Sequence, residues 1–276
     1  TEYRAQILKD EQGNRYVAEF PSDVKSDVQY GNQLKSHAVY LSQFQLLPYQ
    51  RIQDYFREQM KTPLSAGTLF NFNQESYELL ETFDAIAKQK LTDSPLMQCD
   101  ETGININKNR YWIHTASNHL WTYFYPHEKR GHEAMDAIGI VPHFKGTLCH
   151  DHWKTYYRYG CLHSLCNAHH LRELEYAKEN DQQAWAEKMQ KLLIAINEDV
   201  TSKGGSLPEE GAKNYRLQYR SILDEGDLEC PPPDRPPGKK GRLKQSKSRN
   251  LLVRLRQFED DTLRFMQDPL VPFTNN

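Results

Sequence analysis

Hydrophobic and polar residues change their spacing along the chain, and each change predicts a different kind of element. Residues 1–35 alternate weakly around the polar segment 11–14, which predicts a β-hairpin-like opening segment. Residues 36–94 carry apolar side chains at helical spacing on both sides of a short turn at 61–63. Helix, short turn and helix are typical of a helix-turn-helix unit, although a helical bundle that only packs fits the same pattern.

Residues 95–176 form a second region, in which short apolar segments replace the helical spacing. The pattern predicts three strands, a helix and a fourth strand, over residues 96–102, 110–117, 120–125, 131–141 and 147–151. Ribonuclease H-like folds are built in this order, and so are parts of many other α/β proteins. We therefore predict the α/β class with a mixed-sheet core.

Residues 177–276 return to helical spacing, with a long amphipathic stripe over 185–200. Five prolines between residues 231 and 237, followed by a basic run, interrupt this spacing and predict a flexible connector. We expect a helical insertion that contains this proline-rich basic connector and ends with the start of a return to the core.

Composition limits the classes of protein that the chain can belong to. Of its 276 residues, 38% are hydrophobic and 26% are charged, which excludes a wholly disordered or collagen-like chain. No apolar run approaches the roughly 20 residues that span a bilayer, so we expect no membrane partner. Five cysteines without a secretory leader favour a reducing compartment over a disulfide framework, and we expect a cytoplasmic protein.

The net charge of −2 conceals a local concentration of positive charge. Residues 231–256 contain nine basic side chains and one acidic side chain, that of Asp234. A polyanionic partner would be bound there with a salt-sensitive contribution. The candidate DNA contacts in this run are Lys239, Lys240, Arg242 and Lys244.

Two further cations, Lys129 and Arg130, directly precede the helix predicted at 131–141. The backbone N–H groups at a helix N-terminus favour anions, so both residues are candidate phosphate contacts. A solvated charged turn explains the same two residues equally well.

Two carboxylates end predicted strands and are candidates for a metal site. Asp100 lies near the end of the first core strand, and Asp151 ends the fourth. If these strands are neighbours, the two acids can hold Mg²⁺ or Mn²⁺, and two such ions can activate a nucleophile and stabilise a leaving oxygen. Glu101 is expected to face the other way, because side chains alternate along a strand. Aspartates that merely terminate strands fit the spacing as well.

A cluster of residues with ligand chemistry follows the fourth strand. Cys161, His163, Cys166 and His169 are spaced Cys-x-His-x2-Cys-x2-His, which permits a structural zinc ion. The spacing matches no common zinc-finger frame well. Buried cysteines and polar histidines packed near the strands are the alternative.

Several short motifs occur in an order that matches a known family. They include DETG at 100–103, WIHTAS at 112–117, KRGHEAM at 129–135, HDHW at 150–153, CNAHHLREL at 166–174 and VPFTNN at 271–276. Together they resemble the transposases of the insertion sequence sixty-six family, in the segment called the central DDE domain. Further matches at 28–31 and 64–69 extend the resemblance over nearly the whole chain.

The resemblance implies a ribonuclease H-like core and metal-dependent cutting and joining of DNA at the ends of a mobile element. It assigns the first catalytic aspartate to Asp100 and the second to Asp151. It also implies that residues 36–90 bind DNA, with Ser65 and Thr68 as candidate contacts. The expected partner is double-stranded DNA of the terminal repeats and the target, bound by a homo-oligomer and accompanied by accessory proteins that the element encodes.

The third acid of this family is a glutamate that follows the Asn-Asn pair, which here is 275–276. We therefore expect it beyond Asn276 and expect this chain to be inactive alone. A second interpretation stays open, in which the chain is a non-catalytic DNA-binding or regulatory fragment that occupies terminal repeats without cutting them.

Overall fold

The computed structural model of the protein describes residues 2–22, 24, 29–233, 238 and 243–275. The chain divides into two compact units, Thr1–Thr82 and Phe83–Asn276. The predicted α/β class with a mixed sheet is confirmed, because a five-stranded mixed sheet and ten α-helices form among the described residues.

The first unit contains a short antiparallel hairpin and three helices. Their bounds are β1 (Ile7–Lys9), β2 (Arg15–Val17), α1 (Asn32–Val39), α2 (Tyr49–Glu58) and α3 (Ala66–Leu79). The helices bury apolar side chains against one another, with Ile52, Phe56 and Leu69 at the centre. Helical spacing in this region therefore produces a small core of its own.

The second unit is built on the five-stranded sheet. Its strands are β3 (Leu96–Ile106), β4 (Asn109–Ser117), β5 (Thr122–His127), β6 (Thr147–His150) and β7 (Leu162–Leu165). They lie in the order β5-β4-β3-β6-β7, with β3, β4 and β5 antiparallel and β3, β6 and β7 parallel. The parallel pairs meet at the centre, where the first residues of β3, 96–98, pair with residues 147–149 of β6.

Seven further α-helices lie among the described residues. They are α4 (Glu81–Thr92), α5 (His132–Ile138), α6 (Asn167–Asp181), α7 (Ala184–Ser202), α8 (Glu209–Glu229), α9 (Lys247–Gln257) and α10 (Glu259–Leu263). Apolar side chains of α4 and α5 share one core with Met97 and Leu148 of the sheet. Helices α6 to α10 share a second core around Trp185, against which Leu96 of β3 packs. Neighbouring residues of β3 therefore serve different cores, as alternation along a strand requires.

Four elements between residues 95 and 176 differ from the prediction by two residues or more. Strand β3 continues to Ile106, where it pairs with β4. Strand β5 is formed by Thr122–His127 instead of 120–125. Helix α5 ends at Ile138, where Gly139 takes a left-handed φ of 76° and closes the helix. No strand was predicted at 162–165, but these residues form β7 alongside β6.

A glycine allows β6 to begin close to β3. A Cβ on Gly146 would lie 2.4 Å from the carbonyl oxygen of Pro95, so no other residue fits there without a shift of the backbone. The N–H of Thr147 donates to that same oxygen at 2.9 Å. This contact sets the register of the two central strands.

The segment between α8 and α9 is joined at its two ends. The Sγ of Cys230 lies 3.5 Å from the Oγ of Ser246. Arg249 donates from Nη1 to the carbonyl oxygen of Cys230 at 3.0 Å and also pairs with Asp227 of α8. The last residues of α8 and the first residues of α9 are therefore held together.

Candidate active site

The register of the central strands brings Asp100 and Asp151 to the same level. Gln98 pairs with Cys149, and the two aspartates lie two positions further along their chains. Asp100 is exposed at the surface, and the Asp151 side chain keeps 21% of its surface exposed just after β6 ends. Asp100 was expected near the end of its strand but lies within β3, because that strand continues to Ile106, whereas Asp151 directly follows β6. Solvent reaches both carboxylates.

A tight turn fixes the carboxylate of Asp151. Its Oδ1 accepts the backbone N–H of Trp153 at 2.9 Å, and the residue between them, His152, has a φ of 69°. Left-handed φ is unfavourable for histidine, so this turn is held by its surroundings. Asp100 is less constrained, and its Oδ1 accepts the N–H of Glu101 at 2.8 Å.

Glu101 lies on the opposite face of β3 and is fully buried by its side chain. Its Oε1 accepts from Arg130 Nε at 2.8 Å and forms an ion pair with Nη2 at 2.6 Å. The Tyr156 hydroxyl donates to Oε2 at 2.8 Å. Burial raises the pKa of Glu101, while the bonds from Tyr156 and Arg130 oppose that shift.

Arg130 connects this buried acid to the candidate site. The Nη2 that pairs with Glu101 also lies 3.8 Å from Oδ2 of Asp151. The guanidinium lies 4.9 Å from the ring centre of Trp112 and 4.4 Å from that of Trp153. Arg130 therefore contacts two carboxylates and two indoles and keeps part of its surface exposed, whereas Lys129 beside it is exposed.

Alternation along β3 could have shown that Glu101 needs a partner. Met97 and Cys99 are buried core residues of the same face, so position 101 continues an apolar row with a carboxylate. Local sequence gave no sign that the partner is Arg130, which lies 29 positions away. That pairing depends on the fold.

Neutral histidines line the other side of the β6 end. His150 is buried, with Nε2 3.1 Å from Nδ1 of His163 on β7. Burial holds the pKa of His150 well below its usual range and lowers that of His152 to about 4. The His152 ring lies 4.4 Å from Phe258, so aromatic rings line this side of the turn.

Of the four residues considered for zinc, Cys166 and His169 interact, and this interaction raises the pKa of His169. His163 contacts His150, Cys161 packs against the core that contains Leu148, and the Cys166 Sγ accepts the N–H of Asn275 at 3.3 Å. No three His, Cys, Asp or Glu side chains among the described residues are grouped so that they could hold a metal ion. Both the zinc site and its alternative of packed cysteines and histidines stay predictions.

The cations of the basic run at 231–256 differ in whether the structure describes them and in whether they pair with acids of the same chain. Lys239, Lys240 and Arg242 lie outside the described residues, and Lys244 is exposed. Three other cations of the basic run pair internally, Arg249 with Asp227, Arg254 with Glu173, and Arg256 with Asp224. The charge that remains for an external partner is therefore smaller than the sequence count suggests.

Ser65 and Thr68 form the N-terminal cap of α3. The Ser65 Oγ accepts the backbone N–H of Thr68 at 3.0 Å, and the two hydroxyl oxygens lie 2.9 Å apart. Both residues therefore have a structural role in the first unit that is independent of any partner.

Comparison with known proteins identifies one family. The sequence model described as Transposase IS66 family matches residues 27–276. No match is found among curated proteins. In the part of the chain that the structure describes, no helix is long and apolar enough to cross a bilayer.

Proposed function

The chain belongs to the IS66 family of transposases, and we propose that it supplies the DDE-type core that cuts and joins DNA phosphodiesters at the ends of a mobile element. The observation that carries this proposal is the register of β3 and β6, which levels Asp100 with Asp151. Both carboxylates are accessible to solvent, as ligands of a catalytic ion must be.

The strand order supports a ribonuclease H-like core. Three antiparallel strands are followed by a helix and by two strands parallel to the first, in the spatial order β5-β4-β3-β6-β7. A ribonuclease H-like fold has this connectivity, and we assign its first two acids to Asp100, within β3, and Asp151, just after β6. Fold alone does not establish activity, which would depend on these two acids.

The donor set fits Mg²⁺ or Mn²⁺. Carboxylate oxygens are the preferred ligands of hard divalent cations, which also keep several waters, and Asp100 and Asp151 offer such oxygens. When bound, a pair of these ions would activate a water or a 3′-hydroxyl and stabilise the leaving oxygen of a phosphodiester. The protein residues would hold the ions and orient the strand. Trp153 fixes one oxygen of Asp151, and Arg130 lies 3.8 Å from the other.

Recognition of DNA is assigned to several surfaces. We place the element end against the first unit and the exposed Lys129, with Lys239, Lys240, Arg242 and Lys244 as salt-sensitive contacts. A homo-oligomer assembled on DNA, together with accessory proteins of the element, would bring two ends together.

The experiment is strand cleavage of a labelled duplex that carries the element's terminal repeat, with Mn²⁺ or Mg²⁺. The proteins are this chain, a version extended past Asn276 through a glutamate at the family position, and that version with Asp100→Ala or Asp151→Ala. We expect cleavage by the extended protein that is lost in both alanine variants. Cleavage that survives Asp151→Ala would contradict the site, and binding without cleavage by every version would favour a regulatory role.

A further inference from the structure

The contacts of Arg130 assign it a role at the candidate site that differs from binding phosphate. A guanidinium has two flat faces and an edge of N–H donors. Here the ring centres of Trp112 and Trp153 lie 4.9 and 4.4 Å from the guanidinium, and Glu101 takes two donors of the edge, Nε and Nη2. Two of the donors that would bind a phosphate are therefore already in use.

Arg130 reaches Asp151 by two routes. Its Nη2 lies 3.8 Å from Oδ2 of the carboxylate. Its stack on the Trp153 indole also fixes the residue whose backbone N–H holds Oδ1 at 2.9 Å. One oxygen is thus held through Trp153 and the other faces a fixed positive charge, which together set the plane of the carboxylate.

Glu101 makes this arrangement rigid. A buried carboxylate without a partner is costly, so the ion pair with Arg130 is strongly favoured once β3 has formed. Tyr156 holds the other oxygen of Glu101 at 2.8 Å, which leaves the acid little freedom to turn. The guanidinium is therefore anchored by Glu101, and the Nη2 that pairs with this acid is also the atom that lies 3.8 Å from Asp151.

We propose that Arg130 is a positioning residue, which Glu101, Trp112 and Trp153 hold so that Asp151 is oriented to accept a divalent cation. The inference rests on the proposed function, because it concerns the same carboxylate. Residues that orient a ligand in this way typically change metal affinity by about 10- to 100-fold when removed.

The test is Mn²⁺ binding by the full chain, measured from the free-ion signal in electron paramagnetic resonance, without DNA or turnover. We expect Arg130→Gln and Arg130→Lys to weaken binding by about tenfold or more. Lysine keeps the charge but cannot stack between two indoles and bond Glu101 through a fork. Arg158→Gln, at an exposed arginine of the same unit, should bind Mn²⁺ as the unaltered chain does.

A double variant guards against loss of the fold. Arg130→Gln alone leaves Glu101 buried without its cation, whereas Glu101→Gln with Arg130→Gln removes both charges and lets Tyr156 keep a partner. If the double variant unfolds at a normal temperature and still binds Mn²⁺ weakly, the positioning role is supported. Unaltered Mn²⁺ binding in the folded double variant would overturn it.

DNA binding separates positioning from phosphate contact. The slope of log DNA affinity against log salt concentration should be unchanged in Arg130→Gln. In Lys129→Gln its magnitude should fall by about one if that residue touches phosphate. A lower salt slope with normal Mn²⁺ binding in Arg130→Gln would overturn the positioning role of Arg130 and leave the proposed function untouched. If the unaltered chain and the Asp100→Ala and Asp151→Ala variants bind Mn²⁺ alike, the metal site itself, and with it the proposed function, is contradicted.

Discussion

Arg110 lies flat across Gly103, so close that a Cβ on the glycine would be 2.1 Å from its Nη2. Gly103 pairs with Trp112 across the antiparallel strands β3 and β4, and Arg110 lies two positions before Trp112 on β4, diagonal to the glycine. The guanidinium lies 4.9 Å from the Trp112 ring centre, on the same indole that Arg130 contacts. The absence of a side chain at position 103 is what lets Arg110 reach this indole.

Substitution Gly103→Ala should displace Arg110 without unfolding the sheet. The clash involves the end of a flexible side chain, so arginine can move away, and the loss is limited to its stack, about 0.5–1 kcal/mol. Urea unfolding of Gly103→Ala, Arg110→Ala and the double variant measures this. We expect the double variant to be no less stable than either single one, whereas additive losses would show that the two residues act independently.

Removing the buried Glu101 carboxylate should lower the free energy of unfolding far more than the substitution of Gly103. Glu101→Ala leaves Arg130 and the Tyr156 hydroxyl without their partner, and we expect a loss of about 2–4 kcal/mol in the free energy of unfolding. Glu101→Gln keeps a hydrogen-bond acceptor for Tyr156 and should lose less. Glu128→Ala, at an exposed acid near the same strands, is the control and should change stability by under about 0.5 kcal/mol. Equal losses for Glu101→Ala and Glu128→Ala would contradict the buried network.

Because of the buried histidine of α6, the free energy of unfolding should decrease as the pH is lowered. Burial lowers the pKa of His170 to about 3, from the ordinary 6.5, and its Nδ1 lies 3.0 Å from Oδ1 of Asn167. Between these values the unfolded chain binds a proton that the folded chain does not, so acid favours unfolding. Well below pH 6.5 the loss attributable to this group is about 1.4 kcal/mol for each pH unit.

Urea unfolding between about pH 7 and pH 5 measures that slope. His170→Gln removes the titrating ring and should decline less steeply, while His119→Gln, at an exposed turn, should follow the unaltered chain. Identical slopes in all three proteins would mean that His170 is protonated in the folded state.

Chelation should leave the thermal stability of the chain unchanged. Among the described residues no three ligand side chains are grouped, and Cys166 and His163 have protein partners. We expect purified protein to hold less than stoichiometric zinc and to unfold at the same temperature with and without a chelator. Stoichiometric zinc that is lost in Cys166→Ser would restore the zinc hypothesis.

The strand pattern was readable from the sequence where local alternation decides the element. The segments that became β3, β4, β5 and β6 alternate or are short and apolar, which gave the class and the mixed sheet. The first strand was predicted over 96–102, yet β3 runs on to Ile106, and Gly103 within it makes room for Arg110. Residues 162–165 lie in the cluster that was considered for its ligand chemistry, and their pairing with β6 was missed.

The candidate site was predictable only in part. Acids at two strand ends could be named from the sequence, but their common level depends on a register that starts at Gly146. The enclosure of Arg130 could not be foreseen, since Glu101, Trp112 and Trp153 come from three separate parts of the fold. Long-range pairing of this kind leaves no periodic signal in the chain.

Because the end of α8 and the start of α9 are held together, the chain should tolerate insertion or cleavage between these two helices. Because Cys230, Ser246 and Arg249 already hold the two ends together, the closure entropy of the span between them depends only weakly on its length. Leu223 and Leu252 remain in the same buried core whatever joins the helices. A reporter domain introduced between residues 231 and 245 should therefore leave the fold intact. If a protease site is introduced there instead, the two fragments should copurify after cleavage. Both changes offer a way to label or split this protein without disturbing its sheet.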